Sequence, residues 1–153
     1  MPSLELKIPP PVVALIAAAL MWLMAGDIPA IESVASHTIV AVILLATAGA
    51  ACDVLALSSF YRAKTTVNPM RPTATSAMVT GGIYRVTRNP MYVGLVFFLG
   101  AWATYLWSWW SLLGPVAFVF YIGHFQIAPE EKVLAKKFGD EYLAYMAKVR
   151  RWI

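Results

Sequence analysis

Charge is what this sequence has least of. Only 13% of its 153 residues are Asp, Glu, Lys or Arg, 60% are hydrophobic, and the mean hydropathy is +0.68. A soluble domain carries about a quarter charged residues, so this composition excludes one and points to an integral membrane protein. Between Arg88 and Glu130 no residue carries a formal charge. The single cysteine, Cys52, sits inside an apolar run, which excludes an intramolecular disulfide and a cysteine-based metal site. Internal repeats and low-complexity tracts are missing as well.

What is there reads as an all-α, polytopic membrane protein, one domain from 1 to 153. Four apolar segments, at about 9–26, 39–60, 91–106 and 112–127, are expected to cross the membrane, with a loop at 61–90 and a tail at 128–153. Roughly 20 residues cross the hydrocarbon core, so the first segment is short unless Ile8 and the prolines at 9 to 11 extend it. A cleaved signal peptide is the alternative for this segment. Glu5 and Lys7 and the lack of a small-x-small cleavage site before Asp27 favour retention. Asp53 interrupts the second span, and Trp107, Trp109 and Trp110 mark the bend between the third and fourth as an interfacial aromatic belt.

Lysines and arginines set the orientation. Arg62, Lys64, Arg71, Arg85 and Arg88 fill one loop with no acid, whereas Asp27 and Glu32 occupy the opposite loop without a base. The tail carries Lys132, Lys136, Lys137, Lys148, Arg150 and Arg151. By the positive-inside rule both termini and the large loop face the cytoplasm. The net charge of +4 follows from this asymmetry and gives no reason to invoke nucleic acid.

After a bend expected at Ala128-Pro129 the tail turns amphipathic, with Leu134, Phe138, Tyr142, Met146 and Val149 recurring at steps of three or four. Gly139-Asp140 interrupts it, with Asp140 as the expected cap of a second short helix. The tail is expected to act as a lid. The loop from Tyr61 to Thr80, rich in threonine and proline, shows no helical period.

Chemistry concentrates at two points. Arg85 and Arg88 lie just before a span, and Arg88, Asn89-Pro90 and Tyr92 set a cation, an amide and a phenol at one membrane depth. An arginine before a span is ordinarily a topological anchor, but its planar fork also grips carboxylates bidentately, and the amide and phenol suit a ribose. Glu130 and Glu131 form a like-charged pair directly after an apolar span, where a helix dipole explains one acid and not two. His124 lies six residues earlier on the fourth span, and Asp53 on the second. Each is either a satisfied polar group in a helix bundle or part of a substrate path, and the sequence leaves open whether they pair.

The run G-I-Y-R-V-T-R-N-P-M-Y-V-G at 82 to 94, Glu130-Glu131, and the tail pattern from Leu134 through Phe138-Gly139, Tyr142 and Tyr145 to Val149-Arg150-Arg151 resemble one family. It is that of the integral-membrane methyltransferases of isoprenylcysteine carboxyl methyltransferase type, with the related phospholipid methyltransferases. The T-T-V-N-P run at 65 to 69 extends the match. The resemblance covers about the second half of the chain. It implies methyl transfer from S-adenosylmethionine to a lipophilic or small hydrophobic acceptor, an isoprenylcysteine-type carboxylate among them, at the cytoplasmic face of what would be a bacterial inner membrane.

By position, the resemblance assigns Arg88, Asn89, Pro90, Tyr92 and Gly94 to one cofactor-binding motif and Glu130 and Glu131 to another. It places Tyr142 and Tyr145 over the site. Glu130, Glu131 and His124 are the candidate catalytic bases for an acceptor that must lose a proton. Asn89 stands where eukaryotic prenylcysteine enzymes carry histidine, and an amide does not titrate near neutrality. Two other functions compete. An NADPH-dependent membrane reductase of sterol reductase type needs more basic residues for its dinucleotide than lie near Arg88, and a four-span transporter or scaffold needs charge at mid-membrane, where Asp53 is the candidate.

Overall fold

The computed structural model describes residues 5–26, 34–63 and 77–153, and these form helices and turns with no named strand. Helix α1 runs Pro10–Ala25, α2 Ser36–Ala63, α3 Pro90–Leu106, α4 Leu113–Ile122, α5 Ala128–Phe138 and α6 Asp140–Lys148. The four expected spans fall on α1, α2, α3 and α4. Two continuous helices, Ser36–Ala63 and Trp109–Phe138, are long and apolar enough to cross a membrane; α1 and α3 are shorter apolar helices. At 1.5 Å per residue, α1 and α3 reach about 25 Å and α2 about 40 Å. The runs at 27–33 and 64–76, which hold the acidic Asp27/Glu32 loop and the T-T-V-N-P run, lie outside the described residues.

Helix boundaries follow local chemistry. Proline opens α1 and α3 within their first two positions, where its missing N–H costs nothing. Trp107 ends α3 in the left-handed conformation, and a 3-10 turn, Trp109–Leu112, leads into α4. Trp107, Trp109 and Trp110 are all exposed, as an interfacial belt requires, while Ser111 beneath them is buried.

The core lies between α1, α3 and α4, where Met21, Leu99, Leu106, Phe118 and Ile122 are buried together. Trp102 ties α3 to α1 by donating its indole N–H to the Ala18 carbonyl at 3.0 Å. Helix α2 packs along α3. There Gly49 and Gly94 bring the backbones together: a Cβ on Gly94 would come within 3.0 Å of the Gly49 carbonyl oxygen and 2.7 Å of Asp53 Oδ1. Small residues at a helix crossing are the usual means of close packing in lipid. The outward faces carry Leu15, Ile16, Leu23, Ile43, Leu44, Val54 and Phe120, all exposed, a surface suited to acyl chains rather than water.

The expected bend at Ala128-Pro129 is not formed. The helix passes from α4 through a single π-helical turn, Gly123–Ile127, directly into α5, with Ala128 in ordinary helical geometry. Proline cannot donate to the carbonyl four residues back, and its ring crowds that carbonyl. The Phe125 carbonyl takes a hydrogen bond from the Leu6 N–H instead, at 3.1 Å, so the widened turn and the amino-terminal arm together accommodate Pro129 in a continuous helix. The expectation for Asp140 is also corrected. Gly139, at φ 55°, occupies the position before α6, and no side chain caps it. Its carbonyl accepts from the N–H groups of Tyr142 and Leu143, and glycine alone adopts that conformation without strain.

The amphipathic reading of the tail holds. Tyr142, Tyr145 and Val149 are buried against Leu134, Phe138, Met146 and Met78, which folds α6 back beside α5 and over the segment that precedes α3.

Candidate functional site

The segment 82–90 is the scaffold. Gly82, at φ 61°, packs so closely on Ser59 of α2 that a Cβ would stand 2.7 Å from its hydroxyl oxygen. The 3-10 turn Gly82–Arg85 follows, and Tyr84 meets Phe60 of α2 edge-on at 5.6 Å. Thr87 then bridges to Arg150, and the Arg88 N–H donates to the Arg150 carbonyl at 3.0 Å. The tail is thereby stitched to the residues that open α3.

Arg88 does not project freely. One terminal nitrogen donates to Glu131 Oε1 at 2.9 Å and the other to the Met146 carbonyl at 3.1 Å. Both Arg88 and Glu131 side chains are only 10% exposed. Arg151 donates to the same carboxylate, from Nε to Oε1 at 3.1 Å and from Nη2 to Oε2. Glu131 therefore serves two guanidinium groups. No helix begins at Glu130-Glu131, because the π turn joins α4 to α5, so a free helix dipole is not what holds these acids. Arg88 Nε is buried and has no hydrogen-bond partner among the described residues.

Glu130 has different company. Its Oε1 accepts from the Tyr92 hydroxyl at 2.7 Å and from Gln126 Nε2 at 2.6 Å, and no arginine of the cluster reaches it among the described residues. The apolar part of the long helix ends at Ile127, so Glu130 sits just past the span. Burial pushes its carboxyl up to about 7, against the two hydrogen bonds, which favour the charged form, and with a smaller push from Glu131. One glutamate is thus committed to ion pairs while its half-buried neighbour has no cation on it among the described residues and is able to change protonation near neutrality.

The remaining expected residues fall into place unevenly. The Asn89 side chain donates to the Arg151 carbonyl at 2.9 Å, and its N–H donates to the Thr87 hydroxyl at 3.1 Å, so it fastens the tail. Pro90 is buried at the start of α3. Tyr145 donates to the Tyr84 carbonyl at 2.7 Å, and burial raises its phenol to about 12, an effect that Arg88 opposes. Tyr142 is buried between α5 and the turn, where Glu131, Arg88 and Glu130 all influence its ionisation, which is displaced upward mainly by burial. Gly94 faces α2 rather than the glutamates. His124 is exposed and packs edge-on against Phe125. Asp53 rests on Gly94, and the structure does not pair it with His124.

Two participants escaped the sequence reading as site residues. Arg151 reads there as one more basic tail residue, and only the fold brings it to Glu131. Gln126 hides inside an apolar run. Its spacing of four from Glu130 was the available signal, since such pairs share a helix face.

Residues 36–141 match the phospholipid methyltransferase family, over more than half of the chain. The chain belongs to this family. Every side chain of the Arg88, Glu130 and Glu131 cluster except Tyr142, Tyr145 and Arg151 lies on the matched residues. An uncharacterized protein of Haemophilus influenzae is 48% identical over 63 residues, which is 41% of this chain and the whole of that protein. No solved structure matches the chain. Membership of the phospholipid methyltransferase family agrees with the apolar outer faces and implies methyl transfer to a lipid-type substrate.

Proposed function

We propose that this chain is an S-adenosylmethionine-dependent methyltransferase of four spans. Its termini, the loop 61–90 and the tail would lie on the cytoplasmic side of a bacterial inner membrane, where a lipid or small hydrophobic acceptor is methylated. The observation that carries this reading is Arg88, held at the end of the apolar bundle with a buried Nε that has no partner among the described residues, and paired to Glu131, whose neighbour Glu130 has no cation on it among those residues. An amino acid moiety, with its carboxylate and ammonium, complements that pair.

The residues present fit such a cofactor. Arg88 would hold its carboxylate, Glu130 and Tyr92 its positive or hydroxyl groups, and Tyr142 and Tyr145 would close the site from the tail. When bound, S-adenosylmethionine supplies an electrophilic methyl group on a sulfonium. For a carboxylate or thiolate acceptor, the protein needs to do little more than hold and align it. For an amine acceptor, such as a phospholipid head group, Glu130 is the base the geometry favours. It is half-buried in the cluster and titrates near neutrality, whereas His124 is exposed. An isoprenylcysteine-type carboxylate remains the second acceptor class to screen.

Calorimetric titration of detergent-purified protein with S-adenosylhomocysteine tests the reading. Saturable binding that is lost in Glu130→Ala and weakened in Arg88→Ala is the expected result. Binding of NADPH without any response to S-adenosylhomocysteine would hand the protein to the reductase alternative.

A further inference from the structure

The π turn Gly123–Ile127 interrupts an otherwise regular helix immediately before the two glutamates, and it holds Gln126, whose side chain is only 2% exposed. Burying an amide this deeply is costly unless it is hydrogen-bonded. Its Nε2 donates to Glu130 Oε1 at 2.6 Å, and the Tyr92 hydroxyl donates to that same oxygen at 2.7 Å. Both donors converge on one oxygen from two different helices. They fix the rotamer of the carboxyl group through Oε1, and neither of these bonds occupies Oε2.

We infer that Gln126 is a positioning residue, which together with Tyr92 clamps Oε1 of Glu130 so that Oε2 is presented to a cationic group or a dissociable N–H. The inference deepens the methyltransferase reading where it names the ligand, but the clamp itself is a property of this chain. A single π-helical turn is a common device for re-aiming a side chain at a functional site, and here it contains Gln126 and runs directly into α5. Two neutral donors suit the task better than arginine would. They orient the carboxylate and favour its charged form without cancelling the charge a cation needs. The arginines nearby are spent on Glu131, through Arg88 and Arg151. The charged group felt at Glu130 is Glu131 beside it; the Tyr92 hydroxyl of α3 is hydrogen-bonded to it, and Tyr84 of the 3-10 turn and Tyr142 of α6 are neutral phenols that feel the Glu130 charge in turn.

Infrared titration of the carboxyl stretch in detergent-purified protein tests the clamp without any ligand, with Glu130→Gln identifying the band. Gln126→Met keeps length and removes the donor, and Tyr92→Phe removes the other donor while keeping the ring. Each is expected to move the Glu130 midpoint to higher pH, by about one unit, because a bond to the charged form is lost. An unchanged midpoint in both variants overturns the inference. Calorimetry with S-adenosylhomocysteine on the same samples separates the two claims. A shifted midpoint in a protein that binds no S-adenosylhomocysteine leaves the clamp standing and sinks the methyltransferase reading. Normal binding and an unshifted midpoint in Gln126→Met do the reverse. If Gln126→Met does not fold, Tyr92→Phe alone decides the clamp.

Discussion

Arg151 grips Glu131 with two parallel hydrogen bonds, Nε to Oε1 and Nη2 to Oε2, while Arg88 holds Oε1 from the other side. A carboxylate shared by two guanidinium groups joins the tail, α5 and the residues opening α3 at one point. This is a structural pin, and it separates the surroundings of Glu131 from those of its neighbour Glu130.

Removing the pin should be costly. Glu131→Ala leaves the buried Arg88 without its carboxylate, and breaking a buried pair from one side costs about 3–5 kcal/mol. Arg151 is 40% exposed and Arg88 keeps its partner without it, so Arg151→Ala should cost no more than about 1 kcal/mol. Thermal unfolding in detergent is expected to rank the two in that order; equal losses would mean that Arg88 is not the buried member that matters.

Stability should fall as pH rises toward neutrality. The Glu130 carboxyl is raised to about 7 in the fold from an ordinary 4.5. Between those values the native state binds more protons than the unfolded chain. Its contribution is therefore complete below about pH 4.5 and is lost progressively as pH climbs through 7. Comparing wild type with Glu130→Gln from pH 5 to 8, the wild-type melting temperature should decline relative to the variant. Parallel curves would contradict a raised carboxyl.

The α2–α3 contact should reject any added atom at Gly94. Gly94→Ala would drive a methyl group against Asp53 and the Gly49 backbone, and overpacking of this kind costs about 1–3 kcal/mol. Gly100, with nothing within 4 Å of a built Cβ, is the control on the same helix. Gly100→Ala should be neutral or stabilising by up to about 1 kcal/mol, from helix propensity. A chemical-denaturation series in detergent would show both.

Tyr145→Phe should loosen the tail without unfolding the bundle. The lost hydroxyl leaves the Tyr84 carbonyl without that donor, at about 1–3 kcal/mol for a buried group left unsatisfied. Hydrogen exchange should speed in α6 and around Tyr84 and stay unchanged in α3 and α4. Uniform acceleration would place the tail within one cooperative unit with the spans.

The helices were legible because apolar length and proline placement are local signals. The run between Arg88 and Glu130 announced two apolar helices, Asn89-Pro90 announced the start of α3, and the tail's three-and-four spacing named the residues that bury α6. The pairings were not legible. Arg88 and Glu131 are 43 positions apart, Arg151 and Glu131 are 20 apart, and a sequence states no distances in space. Pro129 misled in a specific way. It signals a break by local rules, yet Leu6, from the far end of the chain, supplies a donor to the Phe125 carbonyl and the helix runs on.

By itself, then, the sequence determined a chain dominated by apolar helices, the order of its polar clusters and its family, because each is written in composition or in contiguous motifs. Only the tertiary structure decided which of two adjacent glutamates is paired to arginines and which meets neutral donors instead. That choice depends on which side chains from α3, the π turn and the tail arrive within hydrogen-bond reach. Adjacent residues on a helix point about 100° apart, so Glu130 and Glu131 meet different neighbours and become different chemical groups.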